Sequence, residues 1–469
     1  MIGDGTKINR RKMSSTKKSV EITKRYRAHA LHLRIAGEIR EFLTREDNSR
    51  VLPGKGDGVK VGKKSVSFHF IDTTTFTRYS IEMTAFVWGF GKLGQLGNGE
   101  TGTVHTPITP KLPPNMEVSD VQCGGYFTAV LTTDGRLFTF GCGKYGRLGT
   151  GNEADQKQPV EIRFLDGDKI EKVSCGIWHA AAVTTKKELY VWGYNKSHGV
   201  LGHKSIQSAT QPCKLRGSFN NKIAGISCGN NFTLLWTDDG EGYSWGCGRH
   251  GVLGHGNNED KIEPTIISYF KDNGIKVQFM NAGFAHGGVV SENGHVYMFG
   301  RNDEGALGLG KDGTNSVNSP KIVESLTDKN VKELSCSVGE KHGHTLFLFH
   351  NGLVYACGDG YKGKLGLGDQ ESRVSPEQIH ENCFNNEQVI HVSAGGIHSS
   401  AVSSDGHVFT WGCGSDGRLG HPEGKGHRYL FRSDIPKLVE DINKHDKAVK
   451  ISCSYYHTAT VVIRGESCK

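Results

Sequence analysis

The segment HSSAVSSDGHVFTWG (398–412) sets its side chains in two short β-type runs separated by Asp405-Gly406. A two-residue Asp-Gly connection between such runs is a hairpin signal, because the left-handed backbone it tolerates matches the twist of paired strands. The frame recurs. A Gly-x-x-His element precedes a β-run, and its last position holds Phe127, His179, Phe232, His286, His344, His398 and His457.

A second, glycine-rich pattern alternates with the first. It opens at Trp88, Phe140, Trp192, Trp245, Phe299, Cys357 and Trp411, each followed by glycine, at intervals of 52, 52, 53, 54, 58 and 54 residues. Each copy ends in Leu-Gly, from Leu96-Gly97 to Leu419-Gly420. Two residues before each opening position stands an aromatic: Phe86, Phe138, Tyr190, Tyr243, Tyr297, Tyr355 and Phe409. A spacing of two puts both large side chains on one face of a strand. The predicted repeat core is therefore Trp88, Phe140, Trp192, Trp245, Phe299 and Trp411, with the Leu of Leu-Gly in the same layer and glycine supplying the turn backbone.

The ends complete the pattern. MTAFVWG begins the first turn with half a hairpin, and CSYYHTATVVI (453–463) ends the last one without its partner strand. Pairing the two halves closes a ring and removes the exposed edges of an open array. The predicted fold is all-β, a seven-bladed β-propeller over 81–469, closed by its N- and C-terminal strands.

Composition changes this picture little. The chain has 469 residues, 36% of them hydrophobic, and 64 glycines against 12 prolines, as many tight turns require. It has no apolar run long enough to span a membrane and no secretory leader, so an intracellular protein, cytoplasmic or nuclear, is expected. Residues 1–80 hold 18 Lys+Arg against 8 Asp+Glu; the remainder holds 39 against 41. The basic character thus belongs to an N-terminal extension, predicted to carry one helix at about 19–46 and then a Gly/Lys-rich linker. Its RRKMSSTKK (10–18) is a candidate contact with acidic partners, chromatin or nucleic acid. No further domain is expected after the propeller.

Chemical candidates are few. The 12 cysteines include no C-x-x-C pair. Cys123, Cys175, Cys228 and Cys453 end similar strands, and Cys142, Cys247 and Cys413 share one turn slot, so small reduced thiols are expected and no metal. GDGYKGKL (358–365) lacks the final hydroxyl of a P-loop and falls in register with the sixth turn, so it reads as a turn. The slot histidines are expected to hydrogen-bond within their own blades. No catalytic constellation and no cofactor are expected.

WGFGKLGQLGNG, CGIWHAAAV and DGHVFTWGCGSDGRLG resemble the repeats of the regulator of chromosome condensation family over about residues 84–465. A kelch propeller has a similar period, but its hallmark is a Gly-Gly pair with a different Tyr and Trp spacing. The resemblance implies that the two residues before each His slot are loop tips ringing one face. Here they are Gly125-Tyr126, Ile177-Trp178, Asn230-Asn231, Phe284-Ala285, His342-Gly343, Gly396-Ile397 and Tyr455-Tyr456. Tyr126, Trp178, Asn230, Asn231, Phe284, His342, Tyr455 and Tyr456 are the candidate partner-binding residues, with inward packing as the alternative.

The family's founding member is a nucleotide-exchange factor for the GTPase Ran, with aspartates on these tips and a wedge in its third blade. None of the fourteen tip residues here is acidic, and 192–205 carries one extra residue but no sizeable insertion. The family's plant UV-B receptor clusters tryptophans at the first tip position, where this chain has none. The expected function is a non-enzymatic interaction or regulatory scaffold presenting one propeller face to a protein partner. The alternative is guanine-nucleotide exchange on a small Ras-like GTPase, with Ran itself disfavoured by the missing acidic tips.

Overall fold

A computed structural model describes residues 82–465, apart from 165–166, 196–197, 205–207, 218, 220–221, 312–313, 342, 427–430 and 443–445. The expectations for residues 1–80, including the helix and the basic arm, lie outside the described residues. Seven four-stranded antiparallel sheets form seven blades. In chain order blades 1 to 6 occupy 118–161, 170–215, 223–266, 277–322, 331–378 and 389–438. Blade 7 joins β1 (Glu82–Phe90) and β2 (Thr103–Ile108) to β27 (Lys447–Cys453) and β28 (His457–Arg464), in the order β2-β1-β28-β27. The register runs from Glu82↔Arg464 to Gly89↔His457, which is the predicted closure.

The second strand of blades 1 to 6 is buried at every residue, as expected for a strand covered by neighbouring blades on both faces. Trp88, Phe140, Trp192, Trp245, Phe299, Cys357 and Trp411 are all fully buried, and so are the leucines of Leu-Gly. The aromatic two residues earlier adds to the same layer, and in two blades a third ring meets both aromatics. Phe164 meets Tyr190 and Trp192 edge-on, and Phe384 meets Phe409 and Trp411 likewise.

The blades are tied to one another by a repeated polar joint. The indole N–H of Trp88, Trp192, Trp245 and Trp411 donates to the carbonyl of Arg418, Arg147, Val200 and Lys364, the residue before Leu-Gly in the preceding blade, at 2.9–3.0 Å. The Leu-Gly glycine must stay glycine for this reason. At Gly366, φ is +77° and a Cβ would stand 2.8 Å from Trp411 Nε1. Near the inner strands, Ser174, Ser227, Ser335, Ser393 and Ser452 each accept the backbone N–H of the next blade's strand end at 2.9 Å.

The histidine slot corrects the expectation of a role within each blade. His179, His286, His344, His398 and His457 reach across to Thr233, Thr345, Ser399, Thr458 and Thr128 of the following blade, Nε2 to hydroxyl, at 2.7–3.0 Å. At four of these joints the hydroxyl gives its single proton to a carbonyl, of Gln95, Ala306, Lys364 or Arg418, at 2.7–2.9 Å. The imidazole must then be the donor, with its proton on Nε2. Where Phe127 and Phe232 replace the histidine, the next blade has Ala180 and Gly287 in the hydroxyl position, in the same register against Trp192 and Phe299. Donor and acceptor are lost together.

Candidate functional site

The tips and the glycine-rich turns lie on one face, because each tip packs on the turn of the blade before it. Tip backbones are linked in sequence: Gly125, Ile177, Asn230 and Phe284 donate N–H to Gly176, Gly229, Gly283 and Ser337, and Gly396 donates to Ser454, at 2.8–3.3 Å. In the turns, Tyr145, His250, Glu304, Lys362 and Asp416 hold left-handed backbone, φ +56° to +64°. Tyr145 packs against the tip residue Trp178, and His250 lines a pocket with the tips Asn230, Asn231 and Phe284.

The aromatic tips gather over blades 6, 7, 1 and 2. Tyr126 and Tyr456 stack with centroids 4.7 Å apart and hydroxyls 2.9 Å apart. Tyr455 lies 4.6 Å from Tyr456, and Phe90 5.4 Å from it. Beneath them the guanidinium of Arg418, 2% exposed, sits 5.8 Å from both Tyr455 and Tyr456 and donates to the Tyr455 carbonyl. Blade 2 repeats the device. Arg147 lies 4.7 Å from the Trp178 ring, and Tyr145 packs edge-on to it at 6.0 Å. Trp178 Nε1 donates to Asn230 Oδ1 at 2.8 Å. A buried guanidinium under an aromatic ring combines cation–π attraction with fixed orientation. Burial, and then the Tyr126 hydroxyl, hold the Tyr456 phenol well above its usual range, so it stays protonated and able to donate.

The eight predicted tip residues thus divide. Tyr126, Trp178, Tyr455 and Tyr456 are half-buried, neither free nor folded into the core, and are brought together in two aromatic–cation clusters. Asn230, Asn231 and Phe284 line a separate pocket of about 730 Å³ with Arg249, His250 and Arg301. His342 lies outside the described residues. Arg147 and Arg418 were missed as site residues, although each precedes Leu-Gly in the turn. The 58-residue interval is a tip loop in blade 5 four residues longer than its counterparts, between Cys336 and His344. Its Glu340 reaches the pocket, and its backbone carbonyl accepts from Arg301 at 2.6 Å.

The remaining candidates are structural. Lys364 of the P-loop-like segment is fully buried with its ammonium 2.5 Å from Asp359, so it does not face a ligand. Cys123, Cys228, Cys336 and Cys453 are free, buried thiols whose pKa burial raises. The slot histidines are neutral, because burial lowers His179, His286 and His457 to about 3. Among the described residues no helix is long and apolar enough to cross a membrane.

A family model described as the RCC1-like domain matches residues 84–460. The chain belongs to the RCC1-like domain family. This RCC1-like propeller is 31% identical to the ultraviolet-B receptor UVR8 of Arabidopsis thaliana over 76% of this chain and 77% of that one. It is 29% identical to the regulator of chromosome condensation of Mus musculus over 71% and 80%. Among solved structures, Prp20p of Saccharomyces cerevisiae, described with its binding properties to Gsp1p and histones, superposes with a TM-score of 0.70 at 21% identity. It covers 82% of this chain and 93% of that chain, a likeness of fold.

Proposed function

We propose that this RCC1-like propeller is a non-enzymatic interaction module that captures a protein partner on its tip face. The observation that carries the reading is the paired aromatic–cation patch, Arg418 under Tyr455 and Tyr456 beside Tyr126, and Arg147 under Trp178. Rigid half-exposed rings with few rotamers to immobilise are the side chains that contribute most at protein interfaces, and Arg is enriched with them. The basic segment 1–80 adds sequence-independent attraction towards an acidic partner, chromatin or nucleic acid included. An intracellular location, nuclear or cytoplasmic, fits such partners.

A second reading is nucleotide exchange on a small GTPase. The similarity to the regulator of chromosome condensation favours it, and so does one feature of the face. Acidic groups absent from the tips are present in the turns, at Asp303, Glu304 and Asp416, and in the long tip loop at Glu340, which lines the pocket with Asn230, Asn231 and Phe284.

One experiment separates the two. Full-length protein and its Tyr126→Ala/Trp178→Ala variant are used to capture partners, and any GTPase recovered is tested for release of a fluorescent nucleotide. Capture lost in the variant, with cooperative melting retained, supports the interaction face. Accelerated release promotes the exchange reading, and equal capture by both proteins contradicts the assigned face.

A further inference from the structure

The turn of blade 2 carries one residue more than the others before its Leu-Gly, and His198, just before Gly199, reaches across the next blade junction. Its Nδ1 lies 2.5 Å from Asp260 Oδ2, beside the blade 3 turn. The other carboxylate oxygen of Asp260 accepts the Gly248 N–H at 2.8 Å, which fixes its direction. Cys247, the third turn position of blade 3, completes the group. One nitrogen, one sulfur and one oxygen, from His198, Cys247 and Asp260, all lie within 4.8 Å of one another. All three residues line the wall of the 730 Å³ pocket described above.

We propose that His198, Cys247 and Asp260 form a three-ligand site for a zinc-type divalent cation, with its fourth position open to the pocket. The donor set selects the metal class. Imidazole and thiolate suit zinc and its late first-row neighbours, whereas magnesium and calcium require oxygen ligands. Three protein ligands with one open position is the arrangement in which zinc binds an exchangeable water or an incoming group. Arg249 and Arg301 line the same pocket. They disfavour a bare dication and favour an anion, hydroxide or carboxylate, at the open position. This site goes beyond the capture reading and does not rest on it.

The proton balance is explicit. The cation replaces the Cys247 thiol proton, which leaves to solvent, and takes the Nδ1 lone pair of His198, whose remaining ring proton moves to or stays on Nε2.

The chain contains its own control. In blade 1, Cys142 and Asp155 repeat the half-site, with Asp155 Oδ1 accepting the Gly143 N–H at 2.8 Å, but the preceding turn has Leu93 where His198 stands. The test is calorimetric titration of Zn²⁺ into chelator-treated full-length protein, run in two buffers of different ionisation enthalpy, together with Co²⁺ absorption. The expected result is one ion bound with proton release and a thiolate–cobalt charge-transfer band. His198→Ala and Cys247→Ser each weaken that binding by about ten-fold or more, and Cys142→Ser leaves it unchanged. Equal melting temperatures establish that the variants fold. Binding insensitive to Cys247→Ser, equal loss with Cys142→Ser, or no Zn²⁺ uptake overturns the assignment.

Discussion

His457 Nε2 stands 2.7 Å from Thr128 Oγ1, joining the last strand of the chain to the first complete blade. Thr128 gives its proton to the Gln95 carbonyl at 2.8 Å, and His457 Nδ1 is met by Ser454 Oγ at 2.8 Å, so the imidazole is held at both nitrogens. His457→Phe removes the donor and is expected to cost about 1–3 kcal/mol. Adding Thr128→Ala should recover part of that loss, since Phe with Ala is the pairing at Phe127 and Ala180. A double-mutant cycle by denaturant unfolding measures the coupling, expected at about 1 kcal/mol. Strict additivity would contradict a cross-blade bond.

The same histidines set the acid limit of the fold. Their folded pKa is depressed by burial, to about 3 for His179, His286 and His457, and well below the usual value for His344 and His398. In the unfolded chain they titrate near 6.5, so between these values the unfolded state binds more protons. Stability is therefore full above about pH 6.5 and is lost as pH falls towards 3, by roughly 1.4 kcal/mol per pH unit for each histidine. Melting temperature against pH checks this, and His457→Phe/Thr128→Ala should flatten the slope by one histidine's share.

Much of the ring was legible because each blade repeats the same solution to the same packing problem. Trp88, Trp192, Trp245 and Trp411 announce the buried layer, and the unfinished hairpins at the two ends announce β1 against β28. The histidine role was not legible from a single repeat, because within the chain its partner lies 54 to 60 residues away, one position past the next slot, and across the ring closure 329. The signal existed across repeats: His precedes Thr or Ser, and Phe precedes Ala or Gly. Tip identity was legible at Tyr126 and Trp178, but the cations under the tips come from the preceding turns, and only the folded junction brings them there.

Within one loop, Gly366 and Gly368 separate two causes of glycine dependence. Both have positive φ, +77° and +90°. An alanine Cβ at 366 would meet the Trp411 indole at 2.8 Å, whereas at 368 the nearest heavy atom is Ile435 Cγ2 at 3.8 Å. Gly368→Ala should cost only left-handed strain, about 1–2 kcal/mol. Gly366→Ala must also displace an indole that donates to Lys364, and is expected to cost roughly 3–4 kcal/mol. Chemical denaturation of the two variants should preserve that order, and equal losses would mean that the indole contact is not limiting.

Ring closure rests on β28, which pairs with β1 on one side and β27 on the other. Deleting residues 453–469 removes the fully buried Ala459, Val461 and Val462 and leaves β1 with one long unpaired edge. It also removes His457, Thr458 and the Tyr455–Tyr456 pair, so the histidine joints to blades 1 and 6 are lost together. Because every blade is held by its neighbours, opening one junction exposes two hydrophobic faces and a template for pairing with another chain. The truncated chain should lose cooperative melting and become aggregation-prone and rapidly cleaved by protease, with cuts beginning in blades 1 and 6. A truncated protein that melts as the full chain does would show that the ring is closed by other contacts.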